Sequence, residues 1–368
     1  MPRQVERDVI AVYGATGYTG RRVARALRRA GHNVLVSGRD RAGLERLAGE
    51  LGGATEIWPA SLDEPGRLRA LAERAGALIH CAGPFHRTCE PMVRAAIDAG
   101  AHYIDVSGEQ HSHRFVFETA HERALGRVAL LPGFAFFSAL GDMLAARLAE
   151  GVERVDAVTV AYAVANWRPS DATHQARMLG IASEWYEYDG GLRPVGHWPT
   201  TEWFEFPRPL GRKRVIPYPT GEAFSVPRHL STRRVSTLLT TSTLVPGPLG
   251  ALLPSMTRLM ARVARGPMRP LQQGLLKHLW RAHGPGAMQA DPTSFTVSVR
   301  LQGPEGVRHA SAGGRGIYDL SVPMVVFAAA QVLAPDFELS GALAPAQAVR
   351  PAALLEHLTE HGLSYALP

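Results

Sequence analysis

The residues best equipped for chemistry lie near the start of the chain. Tyr13-Gly14-Ala15-Thr16-Gly17-Tyr18-Thr19-Gly20 closes an apolar run, Val9–Tyr13, and opens a stretch with apolar residues at helical spacing. A helix that begins there presents unpaired N–H groups and a partial positive charge, a seat for a pyrophosphate. Gly14 allows the tight turn, Gly17 lets the backbone approach the phosphates, and Gly20 lets helix and sheet pack closely. Ala15, Thr16, Tyr18 and Thr19 supply the backbone between them. The spacing is G-x-x-G-x-x-G, and its placement between a strand and a helix is what a dinucleotide-binding turn requires. The competing reading is that the glycines serve only the turn.

The second apolar run ends Val36-Ser37-Gly38-Arg39-Asp40. In NAD binders an acidic residue there holds the ribose 2′-OH. Here small Ser37 and Gly38 leave room, and Arg39 can pair with a 2′-phosphate while stacking on adenine. These residues favour NADPH. Two alternatives stay open: Asp40 gripping a 2′-OH, or Arg39 as a plain surface charge. After the fourth run, Ala82-Gly83-Pro84-Phe85 would wall the nicotinamide end, or else form an ordinary strand-to-helix turn.

Hydride chemistry needs a proton donor. A Tyr-x-x-x-Lys site is absent, because position 209 is proline and position 273 glutamine, each four before one of the two lysines, Lys213 and Lys277. The same shortage speaks against Schiff-base catalysis. Tyr103, Asp105, Glu109, His111 and His113 follow or form the fifth run, and His174, Tyr186, Arg228 and His229 come later. Of these, Tyr103, His174 and His229 are the candidate catalytic residues, with histidine best suited by its pKa. Arg228 and Tyr186 are the candidate substrate contacts, and water is the remaining proton source. No metal is expected, since His111 and His113 at i, i+2 do not share a helix face. Cys89 has no evident histidine partner.

These groups need a scaffold. Apolar runs at 9–13, 33–37, 55–58, 77–81, 102–106 and 128–131 alternate with amphipathic stretches such as 21–30 and 90–99. Six strands alternating with helices predict an α/β fold, an N-terminal Rossmann doubly wound parallel sheet over residues 1–135. Beyond Gly133, helical spacing at 142–150, strand patterns at 155–164, 235–241 and 295–301, and an aromatic-rich stretch at 167–227 predict a C-terminal α+β substrate or lid domain. That domain is expected to carry an antiparallel sheet over residues 136–340 and to hold a broad apolar pocket. Residues 341–368 are expected to return to the first domain as a short helix at 351–362.

The quoted motifs resemble the saccharopine dehydrogenase-like family: the glycine turn at 13–20, Gly83-Pro84-Phe85, and Gly100-Ala101-His102-Tyr103-Ile104-Asp105-Val106-Ser107-Gly108-Glu109. The branch they look most similar to includes trans-acting enoyl reductases of bacterial lipid and polyketide pathways. The resemblance is strong over the first 135 residues and looser beyond. It implies an NADPH-dependent reductase acting on a polarised C=C of an acyl or polyketide-type intermediate. A C=N reductase of saccharopine dehydrogenase type, or a non-catalytic NADP-binding sensor, are the alternatives. The chain departs from the family at Pro59-Ala60-Ser61, where an aspartate is usual, and at Gly133-Phe134-Ala135, where the family has Gly-Phe-Asp.

With 40 basic and 33 acidic residues among 368, the chain carries a formal charge of +7, nearly all of its cations arginine. The arginines are spread along the chain rather than gathered in one arm, which argues against nucleic-acid binding. No signal peptide or membrane span is legible, so a cytoplasmic location is expected. Between 252 and 281, Met256, Leu259, Met260 and Val263 share one helical face and Arg258, Arg262 and Arg265 the opposite one. Such a basic amphipathic segment could meet an acidic carrier protein or a membrane surface, or form a lid. The expected substrate is accordingly a small-molecule or carrier-bound acyl group. A homodimer is an assembly the sequence leaves open.

Overall fold

The computed structural model describes residues 8–53, 55–167, 169, 173, 185–195, 201–244 and 291–368. The chain forms two compact units, residues 1–143 with 318–361, and residues 144–317 with 362–368.

The first unit is a seven-stranded, wholly parallel sheet. Its strands are β1 (Val9–Tyr13), β2 (Asn33–Gly38), β3 (Glu56–Pro59), β4 (Ala77–His80), β5 (His102–Asp105), β6 (Ala129–Leu131) and the short strand Gly341–Ala342. Across the sheet the order is β3-β2-β1-β4-β5-β6 and then Gly341–Ala342. The order reverses between β1 and β4, the switch point where doubly wound sheets open a crevice at the strands' carboxyl ends. Strands covered on both faces must be apolar throughout. Ile10, Ala11, Val12, Leu35, Val36, Leu78, Ile79 and Ile104 are accordingly inaccessible to solvent.

Four helices connect these strands and aim their N-termini at that crevice: α1 (Tyr18–Arg29), α2 (Arg41–Leu51), α3 (Pro65–Glu73) and α4 (Phe85–Ala99). On α1 the buried residues Gly20, Val23, Ala24 and Leu27 form one stripe at helical spacing. The six strands foreseen from the sequence are all present, each within one residue at its ends.

The domain limits differ from the expected ones. The first unit runs on to 143, because the helix Phe136–Leu148 begins well before the amphipathic pattern does. Its opening turn is broken at Ser138, which has φ +86°. The chain re-enters the first unit at 318 rather than 341. The helix Ile317–Val332 carries that return, and its Ser321 hydroxyl accepts the Phe136 N–H at 3.0 Å. A helix this largely apolar offers no clear stripe from which its partner could be read. The terminal helix, Pro351–Thr359, lies in the first unit. The last residues do not: Ser364–Ala366 add a strand to the second sheet.

Among the described residues, the second unit holds a nine-stranded sheet. Its strands include β7 (Val155–Ala165), β8 (Trp185–Asp189), β9 (Leu192–Val195), β10 (Glu202–Glu205), β11 (Arg212–Pro217), β12 (Thr232–Thr240), β13 (Ser294–Gly303) and β14 (Gly306–Arg315). The sheet is mixed rather than purely antiparallel, since β7 and β12 run parallel. Ala161, Ala163, Phe204, Phe206, Val215 and Leu238 form a core on one of its faces. No helix among the described residues is long and apolar enough to cross a membrane.

Candidate functional site

The glycine turn sits at the switch point. Gly14 adopts φ +78°, and a Cβ on it would stand 2.8 Å from the Ala82 Cβ and 2.9 Å from the Ala82 nitrogen. Only glycine meets both demands. A Cβ on Gly20 would press to 2.3 Å of the Gly14 carbonyl oxygen. The turn is fixed from β2: the N–H groups of Gly14 and Ala15 both donate to the Ser37 carbonyl, at 2.9 and 3.0 Å. Gly17 caps α1 without any side-chain hydrogen bond, and the first turn carries no acid. The positive end of a twelve-residue helix therefore faces the crevice, the arrangement a pyrophosphate needs. Thr16 and Thr19 lie at this junction. The Tyr18 ring is held away by neighbours: it meets Tyr318 edge-on at 5.4 Å and lies under the Arg22 guanidinium at 3.7 Å.

The residues after β2 divide their roles. Ser37 is fully buried, its hydroxyl donating to the Trp58 carbonyl at 2.6 Å, so it braces the sheet and positions the turn through its carbonyl. Gly38 is buried and Arg39 is exposed beside it, close enough to Tyr13 to oppose the rise that burial causes in the phenol's pKa. Asp40 is the N-cap of α2 and accepts the Gly43 N–H at 3.0 Å. Its carboxylate is thus engaged in a capping role, while Arg39 is the cation at the strand end. Its guanidinium is a planar donor fork of the kind that suits a phosphate.

On the other side of the switch point, Ala82, Gly83, Pro84 and Phe85 run from β4 into α4, with a cis Gly83–Pro84 peptide. Two carboxylate oxygens of Glu109 hold this loop. One accepts the Phe85 N–H at 2.7 Å, and the other accepts the His86 N–H at 3.0 Å and lies 3.1 Å from its Nδ1. The Phe85 ring packs edge-on against His80 at 4.9 Å.

Tyr103, a candidate proton donor, is fully buried. Its hydroxyl lies 2.9 Å from His80 Nδ1 and 2.9 Å from Asp105 Oδ2, with Cys89 Sγ at 3.8 Å. His80 Nε2 lies 3.1 Å from the Ala82 carbonyl. Tyr103 thus belongs to an internal file of polar groups running beneath the Ala82–Phe85 loop. Burial pushes the His80 pKa down to about 3 and raises those of Tyr103 and Asp105. Burial likewise raises the Cys89 thiol well above its ordinary value and the Cys81 thiol to about 12, so neither is a ready nucleophile near neutrality.

The remaining candidates lie in the second unit. Tyr186 on β8 packs edge-on against Phe224 at 6.1 Å. Phe224 belongs to the short helix Glu222–Ser225, which leads directly into the turn Val226–Arg228 and His229. The structure so gathers Tyr186, Arg228 and His229 around one short helical element. The same element carries Glu222, whose fully buried carboxylate accepts a hydrogen bond from Tyr162. His174 and the basic stretch at 252–281 lie outside the described residues.

Three functional elements escaped the sequence reading: His80 and Asp105 as partners of Tyr103, and Glu109 as the clamp on residues 85 and 86. The only legible signal is the run His102-Tyr103-Ile104-Asp105 through Glu109, in which spacing alone shows separate proton donors. Among the described residues no group of three or more His, Cys, Asp or Glu side chains is arranged to hold a metal ion.

Residues 10–128 match the family model of the saccharopine dehydrogenase NADP binding domain. The chain is 32% identical over 141 residues to a trans-acting enoyl reductase of Mycobacterium tuberculosis, and 31% identical over 141 residues to one of Mycobacterium leprae. Each alignment covers 36% of this chain and 34% of the relative, so the chain spans about a third of the length of the curated relatives it matches. Among solved structures, apo saccharopine dehydrogenase (L-Glu forming) of Saccharomyces cerevisiae superposes with a TM-score of 0.61 at 10% identity. That match covers 98% of this chain and all of the other, so the two share a fold through both units. Residues 10–128, which carry the glycine cradle, the start of α1 and the arginine after β2, are thus similar to the saccharopine dehydrogenase NADP binding domain.

Proposed function

We propose that the chain is an NADPH-dependent reductase that delivers hydride to a polarised C=C of an acyl or polyketide-type intermediate. The observation that carries the reductase reading is the pairing of the glycine cradle with Arg39, beside an aspartate whose carboxylate caps a helix instead of facing a ribose. The named activity of the mycobacterial relatives favours C=C over C=N as the bond reduced.

Bound NADPH supplies the hydride. The chain's own residues do the rest. The first turn of α1 receives the pyrophosphate, Arg39 neutralises the 2′-phosphate, and the Gly83-Pro84-Phe85 loop forms a stiff wall for the nicotinamide end. Glu109 keeps that wall in place by satisfying two backbone N–H groups that would otherwise lack a cap. Tyr103 serves from below, as part of the scaffold. The proton that follows the hydride would then come from His229, from His174 or from water. In this reading Arg228 polarises or anchors the acyl carbonyl and Tyr186 lines the acyl pocket. The basic 252–281 segment suits an acidic carrier protein as the bearer of that acyl group.

The test is anaerobic mixing of the protein with NADPH and a panel of enoyl, imine and keto compounds, each offered free and as a carrier-bound thioester. Oxidation with enoyl thioesters alone supports the reading. Turnover confined to imines would favour the saccharopine-type reaction. Tight NADPH binding with no turnover on any compound would identify a cofactor sensor. A carrier-bound substrate that shows no advantage over its free thioester would count against carrier docking.

A further inference from the structure

The buried file beneath the cofactor loop poses a problem of proton counting. The Ala82 carbonyl can only accept, so His80 Nε2, 3.1 Å away, must carry hydrogen. The second nitrogen of a neutral imidazole is then a bare acceptor. It lies 2.9 Å from the Tyr103 oxygen and must receive the phenolic proton. Tyr103 has no second proton to give, yet Asp105 Oδ2 stands 2.9 Å from the same oxygen. Two lone pairs cannot face each other at that distance inside a protein, so the hydrogen in this last gap has to sit on the carboxyl group. The other carboxyl oxygen already fits such a state, accepting N–H groups from Ser107 at 2.9 Å and Gly133 at 2.8 Å.

We propose that Asp105 is a positioning residue for the cofactor turn, held as the neutral acid so that three aligned hydrogen bonds run from its hydroxyl through Tyr103 and His80 to the Ala82 carbonyl. Ala82 is the point of delivery. It touches the position a Cβ on Gly14 would take at 2.8 Å, leaving no slack between this residue and the phosphate turn. Thr88 donates to the same carbonyl at 2.7 Å and fixes it from α4. Loss of the Asp105 proton would force the carboxylate to draw the phenolic hydrogen toward itself. His80 Nδ1 would then face the Tyr103 oxygen without a proton between them, and the file would part above Tyr103. The inference rests on the NADPH reading of the phosphate turn.

The surroundings leave Asp105 as the group whose proton changes. Facing it are Tyr103 on its own strand, Cys81 beyond β4, Cys89 on α4 and His113 beyond β5. Glu109 faces His113 and is occupied at the start of α4. Burial holds both thiols and the phenol protonated and His113 neutral, and it also favours the protonated form of Asp105. The alternative, an imidazolium at His80 beside an ionised Asp105, contains the same number of protons. It is opposed by the depth of His80, which is fully buried.

Asparagine at this position offers the same pattern, an N–H donor toward Tyr103 and an oxygen toward Ser107 and Gly133. The experiment compares wild type, Asp105→Asn and Asp105→Ala by infrared difference spectroscopy and by NADPH titration from pH 7 upward. Over that range the cofactor's 2′-phosphate, with a second pKa of about 6, is already ionised. The wild type should show a protonated-carboxyl C=O band that Asp105→Asn removes. As pH rises the band should fade together with NADPH affinity, by about tenfold for the loss of one buried hydrogen bond. Asp105→Ala should bind weakly at all pH values. Asp105→Asn should rescue that binding and abolish its pH dependence. A missing acid band at pH 7, or the same pH dependence in the asparagine variant, overturns the proposal. Absence of NADPH binding at every pH in the presence of an intact acid band overturns the cofactor coupling together with the reading it rests on.

Discussion

Glu109 accepts the backbone N–H of Phe85 at 2.7 Å, so the loop after β5 supplies the N-terminal cap of α4, a helix whose own N-cap is a proline without a capping side chain. One carboxylate thereby ties the fourth and fifth crossovers of the sheet together at the cofactor crevice. Because it receives charge-assisted bonds from two N–H groups, its removal leaves a helix start unsatisfied in a half-buried place. Glu109→Ala should cost about 1–3 kcal/mol of stability, the range for losing a cap and a charged hydrogen bond. It should also weaken NADPH binding, while Glu109→Gln, which keeps one acceptor, should lose less of both. Thermal unfolding and NADPH titration of the two variants provide the check. Equal behaviour of alanine and wild type would remove Glu109 from the site.

The phosphate turn allows a sharper contrast. At Gly14 a methyl group meets the backbone and Cβ of Ala82 while φ is +78°, and at Gly20 it meets the Gly14 carbonyl at 2.3 Å. At Gly31, also at positive φ, a Cβ meets nothing within 4 Å. Gly14→Ala and Gly20→Ala should therefore each abolish measurable NADPH binding. Gly31→Ala should bind NADPH as wild type does and lose only about 1 kcal/mol of stability or somewhat more, the expected penalty of a left-handed alanine. NADPH binding retained by both turn variants would exclude this turn as the cofactor cradle.

What could be read from sequence follows from the physics of each element. The parallel sheet was legible because strands buried on both faces are continuous apolar runs, as at 9–13 and 77–80. The phosphate turn was legible because its chemistry is made by backbone and glycine, which spacing records. The domain limits were not, since the helix Ile317–Val332 is largely apolar with no clear polar face, and its contact with Phe136 spans 185 positions. The file from Ala82 to Asp105 was equally hidden. His80 and Tyr103 are 23 residues apart and meet only because β4 and β5 align Leu78 with Tyr103 and His80 with Asp105. Tyr103 looked available for catalysis because sequence shows a residue's type, whereas its burial depends on that register.

Arg39 and Asp40 are adjacent in sequence and separate in role, which gives the cofactor assignment its own test. Arg39 is exposed, so its attraction for a 2′-phosphate is screened, and a charge-assisted contact of about 1.5–3 kcal/mol is the upper range. Arg39→Ala should weaken NADPH binding by roughly tenfold or more at low salt, with a smaller deficit at high salt. NADH binding should change little. Asp40→Ala should instead lower stability by about 0.5–2 kcal/mol, the worth of an N-cap, and leave the preference between the two cofactors intact. An Asp40 variant that lost NADH affinity selectively would assign the carboxylate to a ribose.

His80 makes stability depend on acid in a predictable direction. Its folded pKa of about 3 lies below the ordinary histidine value of about 6.5, so the unfolded chain binds the proton first. Stability from this group is complete above pH 6.5 and declines as pH falls through the window toward 3, at up to about 1.4 kcal/mol per pH unit. His102 and His113 are shifted the same way by burial and add to the slope. Asp105 works in the opposite direction. Its pKa is raised in the folded state, so its contribution is present in acid and is lost as pH climbs through the folded value. His80→Gln removes one titrating group while offering an amide donor to the Ala82 carbonyl and an amide oxygen to Tyr103. Urea unfolding at pH 7.0, 5.5 and 4.5, values chosen within roughly the span of that linkage, should show a shallower loss of stability in the variant than in wild type. An identical slope would mean that His80 is not held neutral in the fold, and the proton would then have to be placed on the imidazole.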